Sequence, residues 1–140
     1  MVKLFYKDEY ATIELDDEVP CVKLTLQGVP RFSEHYQLVQ IKRLELMHRE
    51  IGNFEILHML TDSRAAGPVL NEDVDFFKLN ILPEMERVGV RYLAVVMPTG
   101  KLTRMTVQEM VADAHTAEVK TFDDMRQARA WLKSKTAVMN

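Results

Sequence analysis

Leu57-His58-Met59-Leu60-Thr61-Asp62-Ser63-Arg64-Ala65-Ala66-Gly67 runs an apolar stretch straight into a short polar one that ends in glycine. The mostly apolar residues Phe54 to Thr61 read as a strand buried on both faces, which belongs at the centre of a sheet. Asp62 to Gly67 then reads as a turn at its carboxyl end. In an α/β domain that end faces the crevice where ligands, partners and modifications act. Nothing else in the chain has the pattern of a reaction centre.

Working outward, the strand signal recurs on both sides. Tyr10 to Leu15 and Val22 to Gln27 alternate apolar and polar, with the acidic turn Asp16-Asp17-Glu18-Val19-Pro20 between them, which predicts an antiparallel hairpin. Val22, Leu24 and Leu26 share one face and Lys23, Thr25 and Gln27 the other, so one face meets the core. Ser33, placed as an N-cap, opens a long helix whose stripe of Val39, Leu44, Met47 and Ile51 turns inward, and Gly52-Asn53 stops it. Asn71-Glu72-Asp73 starts a second helix carrying Val74, Phe77 and Ile81 at helical spacing. Pro83 is expected to kink or break it, and Gly89 ends whatever follows.

Tyr92 to Met97 is another wholly apolar strand, and Pro98-Thr99-Gly100-Lys101 reads as a polar turn that does not lead directly into a helix. Thr106 and Glu109 have the spacing of a capping box for a short helix ending near Ala114. Glu118 to Phe122 is a last strand. From Asp123 a final helix buries Met125, Ala128, Trp131 and Leu132, with a frayed tail from Thr136 to Asn140. The order ββαβαβαβα predicts one α/β domain over residues 1–140. Its sheet is mixed and five-stranded, with an N-terminal antiparallel hairpin, parallel central strands and about four helices.

The chain has 140 residues, 47% apolar and 28% charged, enough for one domain with its own core. The formal charge of −3 and the lack of a Lys/Arg block argue against nucleic-acid binding. The single cysteine, Cys21, excludes an internal disulfide and a cysteine zinc cage and reads as a small apolar residue. No apolar run approaches the ~18 residues of a membrane span, and the charged amino terminus lacks a signal-peptide core. A soluble, cytoplasmic protein is expected, with no membrane span and no cofactor.

Four stretches together resemble a known group. They are the hairpin ending Leu26-Gln27-Gly28 before a long helix, and the Leu60-Thr61-Asp62 strand end before a helix running into Ile81-Leu82-Pro83. The others are Gly89-Val90-Arg91-Tyr92-Leu93-Ala94-Val95-Val96-Met97-Pro98, and the ending from Lys120-Thr121-Phe122-Asp123-Asp124-Met125 through Trp131-Leu132. In this order they are similar to the STAS-like, SpoIIAA-like domain family, in particular its small stand-alone bacterial members. The resemblance implies a superfamily used for protein regulation and sometimes small-ligand sensing, without catalysis. Its regulatory members carry a strand-end Asp-Ser followed by a small hydroxyl residue and glycine, the serine being phosphorylated by a partner kinase. Asp62 and Ser63 match the first two positions, Arg64 and Ala65 depart from the pattern, and glycine arrives at Gly67.

Asp62, Ser63, Arg64 and Gly67 are therefore the candidate regulatory or ligand-binding residues, with the start of the second helix and the loop Pro98 to Thr106 completing the surface. A turn whose side chains bond neighbouring amides is the competing reading. No catalytic residue is nominated. His58 shares a strand face with Phe54, Ile56 and Leu60 and reads as a core histidine. His35, His48 and His115 show no metal-ligand spacing, so no metal site is expected. Leu102 stands where a phosphate loop needs Ser or Thr. The leading expectation is a non-enzymatic regulatory module working through protein contacts at Asp62 to Gly67. The second is a carrier of a small apolar or lipid-like ligand, by analogy with a related lipid-binding architecture, Met105, Met110 and Met125 being its hint. A hydrolase built on Ser63 and His58 comes third. An edge strand leaves a homodimer open, against the charges of Lys3, Lys7 and Lys23.

Overall fold

Six strands lie side by side in the order in which the chain makes them: β1 (Val2–Lys7), β2 (Ala11–Asp16), β3 (Cys21–Gly28), β4 (His58–Ala66), β5 (Tyr92–Val96) and β6 (Glu118–Phe122). In this computed structural model the backbone of residues 1–139 is described, with side chains through Thr136. β1, β2 and β3 form an antiparallel meander, and β3 to β6 run parallel. The sheet thus has six strands, not the expected five. The addition is β1, an edge strand whose Val2 and Leu4 stay exposed, so no buried alternation announced it.

Each parallel step needs a crossover. α1 (Ser33–Glu50) joins β3 to β4. A continuous helical run of α2 (Asn71–Phe76), a π-helical turn (Phe77–Ile81) and α3 (Leu82–Val88) joins β4 to β5, and α4 (Lys101–Val111) joins β5 to β6. With the strands in sequential order, crossovers of one hand fall on one face. They bury the larger core there, around Ile13, Leu24, Met59, Leu93, Val39, Met47, Phe77 and Met85. α5 (Met125–Met139) covers the other face, setting Ala128 and Leu132 against Leu60, Ala94 and Val96, with Met125 and Trp131 partly buried beside them. Helix α5 continues through Thr136 to Met139, where a frayed tail was expected; Asn140 lies outside the described residues.

Several local expectations change for identifiable reasons. Pro83 does not break its helix: the π turn directly before it, with Leu82 N–H reaching the Phe77 carbonyl, leaves Pro83 in the first turn of α3, where its missing donor does no harm. Ser33 is the first residue of α1 and not its cap; its side chain lies near the Asp73 carboxyl of α2 instead. Helix α4 starts at Lys101, directly after the turn that ends β5, so the polar turn at 98–100 does open a helix. Thr106 consequently sits inside α4, and its hydroxyl donates to the Leu102 carbonyl at 3.1 Å in place of any capping box. The acidic hairpin turn is also less solvated than its composition suggests. Asp16 is 1% exposed and ion-paired with Arg129 of α5.

Candidate functional site

The ladder between β3 and β4 fixes the segment on which the sequence reading rests. Because β3 continues to Gly28, β4 continues beside it, with Gln27 opposite Ala65 and Gly28 opposite Ala66. The residues 62–66 are therefore strand, not turn. The pairing slips by one residue after Thr25 and Asp62, a bulge of the kind that re-aims side chains at the ends of strands.

The pleat divides the four candidate residues between two faces. Asp62 accepts two bonds from the Arg64 guanidinium, at 3.0 and 2.8 Å, so these two form a closed pair at the strand end. Burial would raise the Asp62 carboxyl, but the Arg64 bonds hold it below its ordinary value. Ser63 and Gly67 face the other way, into a cavity under the helices. Ser63 is 3% exposed and donates to the Val96 carbonyl at 2.6 Å. Gly67 donates its N–H to the Gly28 carbonyl at 2.8 Å, and a Cβ there would stand 2.8 Å from Val29 Cγ1. A side chain at 67 would therefore require Val29 to move aside.

The cavity is the site the sequence reading missed. It has about 50 Å³ of space between the sheet and α1, the π turn and α4, at the carboxyl ends of β4 and β5. Leu26, Val69, Leu93, Val95, Val107 and Met110 are among its apolar walls. Of the three methionines singled out above, only Met110 is here. Met105 is exposed on α4, and Met125 packs under α5. A second hollow of about 250 Å³ shares Tyr10, Tyr36 and Val69 with the first and is rimmed by Val29, Phe32 and Leu70, each more than half exposed.

Into this apolar space α1 sends three polar side chains at positions i, i+4 and i+7: Tyr36, Gln40 and Arg43. Each is 2% exposed. The Arg43 guanidinium donates to Thr61 Oγ1 at 2.6 Å and to Gln40 Oε1 at 2.5 Å, and its carbon stands 5.9 Å from the centre of the Phe77 ring. Arg43 Nε has no partner among the described residues, and neither do the Tyr36 hydroxyl and Asp73 Oδ1. Burial pushes Arg43 down to about 10, partly offset by the Tyr36 and Tyr10 phenols, so the group stays charged at neutral pH. Burial likewise raises the Tyr36 phenol and the Asp73 carboxyl above their ordinary values.

Two of the histidines are engaged elsewhere. His35 Nδ1 accepts the Arg31 N–H at 3.0 Å and its Nε2 lies 2.7 Å from Asp8 Oδ2, so both ring nitrogens are held by the β1–β2 turn and the start of α1. His58 is fully buried on the α5 side, with Nε2 2.6 Å from Thr136 Oγ1 and its ring edge-on to Tyr92. Ser63 faces the opposite side of the sheet, so the two do not form a nucleophile–base pair. The Cys21 thiol is buried, and burial pushes it up to about 12, far from a reactive thiolate. Among the described residues, no group of three or more metal-ligating side chains is present and no helix is long and apolar enough to cross a membrane.

No family model matches the chain, and no curated protein matches it. Among solved structures, the fold is similar to that of an uncharacterized protein of the DUF3478 family with a SpoIIAA-like fold, from Shewanella loihica PV-4. The two share 14% sequence identity over 94% of this chain and 92% of that one, with a TM-score of 0.47.

Proposed function

We propose that the protein is a non-enzymatic cytoplasmic binding module that holds a small, largely apolar molecule in the cavity between the sheet and α1, the π turn and α4. One observation carries this reading: apolar walls enclose space at the carboxyl ends of β4 and β5, where α/β domains place their ligands. The positions of two histidines support a role without catalysis, since both ring nitrogens of His35 are hydrogen-bonded within the fold and His58 is sealed under α5. In this reading Ser63 and Gly67 serve the cavity wall, and only Arg64 and Ala65 of that segment are exposed for contact with a protein partner.

Backbone and methyl NMR spectra recorded with benzene, 1-butanol and butanoate test the proposal. The signals of Leu93, Val95, Val107 and Met110 are expected to shift with at least one probe, while those of Ala128 and Leu132 on the far face stay in place. Cavity signals that respond to none of the three would overturn it.

A further inference from the structure

Arg43 is a buried cation facing an apolar cavity without a carboxylate beside it. Two of its N–H groups are used by Thr61 and Gln40, both neutral, and the group as a whole has five to offer. Among the described residues no acidic side chain comes within ion-pair distance of it. Asp73, the buried acid that lines the neighbouring hollow, forms no ion pair with Arg43. A buried charge left without a counter-charge is among the most destabilising arrangements a core can hold. Met at this position would fill much of the side chain's volume without the penalty of a buried charge. The Gln40 and Thr61 bonds also fix the plane of the guanidinium, leaving its Nε edge turned to no protein acceptor. The Tyr36 hydroxyl on the same cavity wall is a second unused donor.

Resting on the binding function proposed above, we infer that the ligand is a small monocarboxylate, its acid group taken by the free edge of Arg43 and its hydrocarbon body lying against Leu93, Val95, Val107 and Met110. A planar carboxylate matches the guanidinium fork in shape and cancels its charge one for one. The apolar walls disfavour a second charge on the ligand, and the small volume limits its length. Butanoate fills roughly 90 Å³, more than the about 50 Å³ of open space, so its binding requires the side chains shared with the neighbouring hollow of about 250 Å³, Tyr10, Tyr36 and Val69, to shift.

Calorimetric titration with butanoate, butanamide and 1-butanol at neutral pH tests this, in the wild-type chain and in Arg43→Met and Arg43→Gln. The wild type is expected to bind butanoate at least about tenfold more tightly than its two neutral counterparts, and both variants to lose that preference. Urea unfolding of the ligand-free proteins supplies an independent readout. Arg43→Met is expected to be no less stable than wild type, whereas a purely structural arginine would leave the variant weakened. Butanamide or 1-butanol binding as tightly as butanoate would overturn the carboxylate inference and leave the apolar cavity function standing. Failure of all three to bind the wild type at millimolar concentration would overturn both. Retention of the butanoate preference in both variants would remove Arg43 from the site.

Discussion

The Ser63 hydroxyl donates to the Val96 carbonyl at 2.6 Å from a residue that is 3% exposed. That bond ties β4 to β5 on the cavity side, so the consequence of changing Ser63 follows from burial. Removing the hydroxyl in Ser63→Ala gives up one buried hydrogen bond and is expected to lower stability by about 1 kcal/mol. Ser63→Asp places a carboxylate against the Val96 carbonyl in an apolar wall. It is expected to lose several kcal/mol, more than any phosphate-mimicking gain at an accessible turn. Urea unfolding of the two variants decides the matter, and an aspartate variant as stable as wild type would show Ser63 to be reachable. Asp62-Ser63 was legible in the sequence as a strand end, but its sidedness was not. A one-residue bulge set by the partner strand β3 decides which of 62–67 meet the cavity, and no local pattern encodes that slip. Arg43 was hidden for a different reason. An arginine on a long helix reads as a solvated residue, and only its place two turns along the stripe from Tyr36 betrays the burial.

At the level of elements, Gly89 is the clearest case where sequence and backbone agree. It closes α3 with φ at +111°, a conformation that side-chain-bearing residues rarely adopt, and a Cβ there would meet nothing within 4 Å. Any loss in Gly89→Ala is therefore backbone strain alone, expected at about 1–2 kcal/mol. Thermal unfolding of that variant beside Gly52→Ala, where the backbone has no such requirement, checks it, and equal midpoints would refute it. The strands read from apolar runs and alternation have counterparts in the sheet, β2 to β5 because each has partners on two sides and buried residues, and β6 because Val119 and Phe122 are half-buried. β1 lacks both. It has one neighbour, and its side chains are mostly exposed. The helix starts were the least legible elements. Ser33 and Thr106 have cap-forming side chains, yet Ser33 is drawn to Asp73 and Thr106 is folded back on Leu102. Short-range spacing names the residues able to cap; the tertiary partners decide whether they do.

Across the whole molecule, the buried ionisable groups give stability a two-stage acid profile. His58 lies under α5 with its ring against Tyr92, and burial holds it down at about 4 instead of the usual 6.5. Between those two values the unfolded chain takes up a proton that the folded chain refuses. The stability due to neutral His58 is thus complete above pH 6.5 and lost as pH falls towards 4, by no more than about 3 kcal/mol. A second loss follows at lower pH. Burial would raise the Asp8 carboxyl, but hydrogen bonds from Tyr6, His35, Ala11 and Tyr10 hold it down at about 2, so its contribution is present above 3.8 and lost below. Asp16, bound by Arg129, and Asp62, bound by Arg64, act in the same direction. Asp73, raised by burial, opposes them, because its folded form accepts a proton more readily than the unfolded chain does. Urea midpoints measured between pH 7.5 and pH 3 are therefore expected to decline first through the histidine window and then again below it. His58→Phe keeps an aromatic ring edge-on to Tyr92 and removes the titration. Its profile is expected to be flat between pH 6.5 and 4.5 and to fall with the carboxylates as wild type does; an unchanged slope in the upper window would show that α5 does not seal His58 from protonation.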